Sequence, residues 1–436
     1  MSPAHQGRAA FRGTLVDFTA DPRAARNALR VIEDGLLVVN DGKVESALPA
    51  SEALATLPPG TPVTDHRGRL IMPGFIDAHI HYPQTDVIAS HGKQLLDWLT
   101  DYTFPAEARF SDAAHAQAVA EFFLDELARN GTTTAAIYAT VHPASVEAIF
   151  SAAQKRNLRI ITGKVMMDVN APDYLRDEAG QSYADSKALI ERWHGRGRLL
   201  YGVTPRFAGT SSERQMQLAA KLLDEHPGMH MQTHLAENQA EVEWIARLFP
   251  WSRSYLDVYQ QYGLVREGAL FGHCIHLEDE DWRVLAAGGA AAIHCPTSNL
   301  FLGSGLFNLD AAYASGTVTG LATDVGGGTS FSMLRTMHEA YKVAAMGHRP
   351  FSSLDGFYLA TLGSARALRL DDRIGNFNPG MEADFIVLNP QATPLIGRRY
   401  GIASGIEQKL FALMMLGDDR VVEQTYVMGV PAREAA

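Results

Sequence analysis

Cysteine is nearly absent: Cys274 and Cys295 are the only two in 436 residues. That count excludes a disulfide scaffold and makes a reducing, cytoplasmic setting the expectation. No run approaches the roughly 18 consecutive apolar residues of a membrane-spanning helix. The opening residues 1–13 lack the apolar core of a secretory leader. Positive charge is in deficit, with 38 Lys and Arg against 49 Asp and Glu and a net charge of −11. A phosphate backbone is therefore a poor fit as the main ligand, whereas a nucleobase, which carries no phosphate, stays compatible. Internal repeats, low-complexity tracts and long charge runs are also missing. Gly326-Gly327-Gly328 lacks the Lys-Ser/Thr continuation of a phosphate loop and reads as a flexible loop beside a site.

What is present is the material of a large folded α/β protein, with 46% hydrophobic and 20% charged residues. At this length, one large domain with a smaller companion is expected. Residues 1–70 and 379–436 carry short β-like runs. Leu36-Leu37-Val38-Val39 leads into the turn residues Asn40-Asp41-Gly42-Lys43, and Asp384–Leu388 and Thr425–Gly429 are similar. These two segments are expected to build one small β-sandwich. Between them, residues 71–378 alternate β-rich runs with amphipathic helical stretches, the pattern of parallel βα units. Eight strands are predicted, at 71–81, 132–140, 159–168, 199–207, 230–237, 269–277, 290–299 and 317–325. They span about 255 residues, close to the ~250 of a (β/α)8 barrel. A helix is predicted over 113–130, with Val119, Phe122, Phe123 and Leu127 as apolar positions and Gly131 as its C′ residue.

The chemistry gathers at the predicted strand ends. His79 and His81 stand two residues apart at the end of the first barrel strand, so both imidazoles face one side and can reach one metal ion. His234, His273 and Asp324 end the fifth, sixth and eighth strands. That rim is where barrel enzymes build their sites. Any one histidine of the 16 could be a packing residue; five metal-binding side chains at four strand ends is a different matter. A metal centre with open positions activates water, so metal-assisted hydrolysis is the predicted chemistry. Glu237, three residues after His234, is either a helix N-terminal carboxylate or, beside an activated water, a proton shuttle. Gln84 follows the first pair, and its amide both donates and accepts. Arg206-Phe207 offers a guanidinium fork beside an aromatic ring, which suits a planar heterocycle carrying a carbonyl. Trp98 reads as a helix-face core residue that could wall the pocket. Cys274 and Cys295 read as buried small residues, and His276 and His294 as packing groups or supports for the ligands.

Pro73-Gly74-Phe75-Ile76-Asp77-Ala78-His79-Ile80-His81, with His234, His273 and Asp324, resembles the metal-dependent amidohydrolase superfamily. Within it the chain resembles guanine deaminases. The runs that carry this are Trp98–Glu107 (Trp-Leu-Thr-Asp-Tyr-Thr-Phe-Pro-Ala-Glu), Asn130-Gly131-Thr132-Thr133-Thr134 and Val203-Thr204-Pro205-Arg206-Phe207. His234-Leu235-Ala236-Glu237-Asn238, His294–Leu300 and Thr323–Gly328 add to them.

The resemblance implies a (β/α)8 barrel beside a β-sandwich, one zinc ion, and hydrolysis of guanine to xanthine and ammonia. Zinc and iron both accept this ligand set. His79, His81, His234 and Asp324 would bind the metal. His273 would either join them or hydrogen-bond the attacking water. Asp324 and Glu237 would handle protons, with His273 beside them. Gln84, Arg206 and Phe207 would contact guanine, with His81 and His234 bordering it. A homodimer is the implied assembly, and no nucleic-acid or membrane partner is expected. The His-x-Glu…Pro-Cys-x-x-Cys signature of another deaminase class is absent, so deamination here rests on a different ligand set. Activity on 8-oxoguanine or a triazine is the nearest alternative, and a metal-free assembly protein a remote one.

Overall fold

The structure, a computed structural model, describes residues 7–432. Residues 1–6, part of the opening segment in which no secretory leader is expected, lie outside them. Sixteen strands are assigned in chain order. Four precede the barrel: β1 Arg8–Phe18, β2 Leu29–Asn40, β3 Lys43–Pro49 and β4 Val63–Pro73. The barrel region holds β5 Phe75–His81, β6 Thr132–Tyr138, β7 Arg159–Gly163, β8 Val165–Met166, β9 Leu199–Pro205, β10 His230–Leu235, β11 Ala269–His273, β12 Ala291–His294 and β13 Val318–Leu321. Three follow it: β14 Phe385–Leu388, β15 Val422–Val427 and β16 Val430–Pro431.

The terminal segments meet in one seven-stranded sheet of order β16-β15-β14-β4-β1-β2-β3. Its hairpins follow from local sequence. Asp41 and Gly42 take φ of 49° and 78°, the left-handed pair that a tight β2–β3 turn requires. Phe11, Phe385 and Tyr426, from strands far apart in sequence, cluster with ring centroids 4.4–5.0 Å apart. This aromatic contact ties the two ends of the chain into one unit.

The second sheet runs β13-β12-β11-β10-β9-β7-β6-β5, with every pairing parallel. Asp324 N–H donates to His79 O at 3.0 Å and His81 N–H to Val325 O at 2.8 Å, which brings the first and eighth strands together. Ile76, Ala78, Ala136, Ile161, Leu270 and Ile293 fill the interior. Helices cover the outside, so the strands are buried on both faces and read as continuous apolar runs.

Several predicted spans are longer than the strands they contain. The run 71–81 belongs to two sheets. Gly74 N–H still bonds Asp384 O of the terminal sheet, whereas Phe75 N–H bonds Gly131 O in the barrel. Consequently β4 runs on to Pro73, past Ile71, where the first barrel strand is expected to begin. The run 290–299 stops being strand at His294, because Pro296 opens the helix Pro296–Phe301. The helix predicted at 113–130 spans Ala113–Arg129, capped by Asp112, and Gly131 takes φ +83°. It buries Val119, Phe123 and Leu127, but Phe122 points outward. No helix among the described residues is long and apolar enough to cross a membrane.

Candidate active site

His79 and His81 leave β5 on the same face, as the two-residue spacing predicts. Their Nε2 atoms lie 3.2 Å apart, and His81 Nε2 lies 3.1 Å from His234 Nε2. Asp324 Oδ1 stands 3.4 Å from both His79 Nε2 and His81 Nε2. A tetrahedral ion with bonds of about 2.0–2.1 Å separates its ligand atoms by roughly 3.3 Å. These four donors therefore fit around one cation. Hydrogen bonding supports that reading. His234 Nδ1 donates to Arg206 O at 2.7 Å, which leaves a lone pair on Nε2 facing the cluster. Burial depresses the pKa of His79, His81 and His234 and keeps them neutral, the form that binds metal. Burial alone would raise Asp324, but the contact with His79 and the other imidazoles outweigh it and hold the carboxylate at about 2.

The surrounding backbone is shaped to admit these side chains. Ala236, His273, Cys274 and Asp324 all take left-handed φ, between 49° and 72°, where the chain turns off three strand ends. Such positions cost about 1–3 kcal/mol each and persist where packing over-determines them. A Cβ on Gly272 would fall 2.6 Å from His79 Cε1, so only glycine leaves room for that ring. Asp77, from the opening motif, is fully buried. It accepts hydrogen bonds from Thr323 N–H at 3.1 Å and from the Thr323 hydroxyl, fastening β5 to the segment that carries Asp324. Burial raises its carboxyl to about 7, even against those bonds.

His273 stands slightly apart. Its Nδ1 donates to Asn299 Oδ1 at 2.9 Å, and its Nε2 lies 3.4 Å from Glu237 Oε2 and 3.7 Å from Asp324 Oδ2. Its Nε2 thus faces both carboxylates. Glu237 is buried, and burial first and the Asp324 charge second raise its pKa well above the carboxylate range. Glu241, which shares a capping box with Asn238, accepts from Glu237 N–H at 2.9 Å and from Tyr255 O–H at 2.7 Å. The start of that helix thus fixes Glu237.

A cavity opens over this cluster. Gln84, Arg206, Phe207, His81, His234 and Glu237 all border it. The predicted positions are therefore brought together, His79 lying behind the wall as a donor. Trp98, read from sequence as a core residue that could wall the pocket, does both: it packs with Leu95, Leu99 and Phe104 and lines the cavity, its indole N–H without a partner among the described residues. Cys295 is buried as expected, but its thiol lies among the donor atoms of His79, His273 and Asp324. Sequence gives Glu107, the last residue of the run Trp98–Glu107, no role of its own. It is buried and bonds both Arg206 and Gln84. The signal was available: a lone carboxylate in the apolar run Phe104–Ala108 must find a buried partner.

Comparison with known proteins agrees with this architecture. The amidohydrolase family model matches residues 70–431. The guanine deaminase of Escherichia coli (strain K12) is 51% identical over 423 residues, covering 96% of each chain. The solved E. coli guanine deaminase superposes with a TM-score of 0.95 at 50% identity, over 97% of this chain and 99% of that one. The guanine deaminase of C. acetobutylicum, solved with guanine bound in its active site, gives a TM-score of 0.88 at 29% identity, over 98% and 100%. With a donor cluster at the barrel rim and likeness along nearly its whole length, the chain belongs to the amidohydrolase family, among the guanine deaminases.

Proposed function

We propose that this chain catalyses the hydrolytic deamination of guanine to xanthine and ammonia, with one zinc ion held by His79, His81, His234 and Asp324. The observation that carries the reading is the convergence of four donors at 3.1–3.4 Å beneath a cavity walled by Arg206 and Gln84. The bound ion supplies the Lewis acidity that makes water a nucleophile near neutral pH. Asp324, held ionised, accepts a proton from the attacking water as its oxygen bonds to C2. Glu237, held protonated by its burial, gives its proton to the ring nitrogen beside C2. The C2–N bond then breaks, and a proton relayed through Glu237 leaves with ammonia, while C2 keeps the oxygen as a carbonyl. His273 orders these two carboxylates. Arg206 donates to the O6 carbonyl, Gln84 addresses a second ring edge, and Phe207 lines the base's pocket.

The homodimer and the cytoplasmic setting belong to the same proposal. Two free, buried thiols support the reducing compartment. The test is the guanine-to-xanthine absorbance change, with and without chelator, beside ammonia release from 8-oxoguanine and triazines. The expected result is guanine turnover that chelator abolishes and zinc restores. Ammonia from a triazine or 8-oxoguanine but not from guanine would overturn the substrate, and chelator-resistant turnover would overturn the metal.

A further inference from the structure

The cavity wall contains an ion pair of which one member, Glu107, has no part in the chemistry above. Glu107 Oε2 accepts from Arg206 Nη1 at 2.6 Å, and the two side chains are only 1% and 3% exposed. Taking both charges out of water costs several kcal/mol per ion, and an apolar pair of similar volume is often as stable. Fold stability is therefore a weak reason for the pair to be there. Its bonding supplies a better one. The other carboxylate oxygen of Glu107 accepts from Gln84 Nε2 at 3.1 Å, while Gln84 Oε1 accepts from Gly326 N–H at 3.2 Å. Flipping the Gln84 amide would set oxygen against carboxylate and N–H against N–H, so one orientation is fixed. A Cβ on Gly326 would fall 2.6 Å from Gln84 O, which shows how closely that loop is pressed on Gln84.

Arg206 is held at both ends. Its carbonyl accepts from His234 Nδ1, a metal donor, and its guanidinium lies over the Phe104 ring at 5.5 Å, on the same helix as Glu107. One side-chain nitrogen, Nη1, is committed to Glu107. The guanidinium has no other protein acceptor among the described residues, and Arg206 borders the cavity. Glu107 also cancels the arginine's charge, so the wall presents donors without a net charge. A neutral carbonyl suits such a wall better than an anion does.

We propose that Glu107 is a positioning residue that presets Arg206 as a neutral donor for the O6 carbonyl of a 6-oxopurine while holding Gln84 at its own ring edge, and that it sets discrimination against purines lacking that oxygen. The inference rests on the guanine reading and deepens it. The test compares wild type with Glu107→Gln on guanine and on 2-aminopurine, which keeps the reacting C2 amine but has no O6. Urate serves as an anionic competitor, and metal content is measured in both proteins. A site built to bond a substrate group rejects an analogue without it by orders of magnitude. Glu107→Gln is expected to lower kcat/KM for guanine about 100-fold, mainly through KM. The 2-aminopurine rate should change by less than about threefold, so the preference collapses. Urate should inhibit the variant more tightly, because the arginine charge is no longer cancelled, and metal content should not change. Parallel losses on both purines, or an unchanged preference, would overturn the proposal while leaving guanine as substrate. A wild-type protein inert on guanine would overturn the substrate reading and this proposal together. Glu107→Asp retains the charge but, one methylene shorter, reaches only one of its two partners. It should show an intermediate preference, and it decides the question alone if Glu107→Gln does not fold.

Discussion

At Glu237, a side chain ordinary in sequence acquires its chemistry from its surroundings. Burial and the neighbouring Asp324 charge push its pKa well above the carboxylate range, so its proton persists toward neutral pH. A general acid works only while protonated, so the sign is fixed: kcat/KM should hold below the raised pKa and fall as pH rises through it. Glu237→Gln keeps the shape and removes the ionisable proton. It should retain metal, lose about 10²–10⁴-fold in turnover, and show a residual rate without that alkaline fall. Metal analysis beside a pH–rate profile checks this; near-wild-type turnover would remove Glu237 from the proton path. The contrast with Glu107 shows what a sequence discloses at this scale. His79 and His81 were legible because a strand's two-residue period puts both rings on one face. Glu107 was not, because its partners Gln84 and Arg206 lie 23 and 99 residues away and only the closed barrel brings them together.

At the level of elements, strand ends matter more than strand centres. The alternation of β-rich and helical runs revealed eight barrel strands, since runs buried on both faces are continuously apolar. Their ends were overrun, because the segments at the rim are buried too: Cys295, Pro296 and Val325 lie outside the strands yet are shielded from solvent. Apolarity cannot tell a strand from a buried rim segment; Pro296 and the left-handed turns at Ala236, His273 and Asp324 do that. The end of β11 offers a test. Gly272 leaves room for the His79 ring, and a Cβ there would come within 2.6 Å of Cε1 and 2.8 Å of Nδ1. Gly272→Ala must therefore displace His79, a proposed metal donor, without adding any group at the proposed metal position. Its expected effect is a loss of metal affinity of about 10–100-fold, the scale seen when supports of a ligand are disturbed, with far-UV circular dichroism unchanged. A metal titration at wild-type affinity would show that the ring can move aside without cost.

For the whole molecule, the question is what couples the terminal sheet to the barrel. Sequence showed β-runs at both ends of the chain but not their attachment, which rests on buried charges. Arg159 and Arg198, at the entry to β7 and just before β9, both bond Glu382, at 2.7 and 2.8 Å. Arg198 also pairs with Asp384 and donates to Asn157 O at 2.8 Å. Asp384 in turn accepts from Met428 N–H at 2.9 Å, in the turn between β15 and β16. The clamp therefore joins the barrel floor to the terminal sheet, at the opposite ends of the strands from His79, His81 and His234. Removing one member of a buried pair leaves an uncompensated charge and costs about 3–5 kcal/mol. Arg198→Met, which keeps the apolar stem, should lower the unfolding free energy by that amount, and with it the urea midpoint, with little change in the urea slope, leaving KM for guanine unaltered. Burial already raises Asp384, and Arg198 opposes that rise. Without the arginine the carboxyl should take up a proton at higher pH, so the variant's deficit should be largest at neutral pH and shrink on acidification. Urea melts at neutral and mildly acidic pH, beside steady-state kinetics, check both halves. A deficit independent of pH, or a raised KM at unchanged stability, would show that the clamp does not act as this buried-charge argument requires.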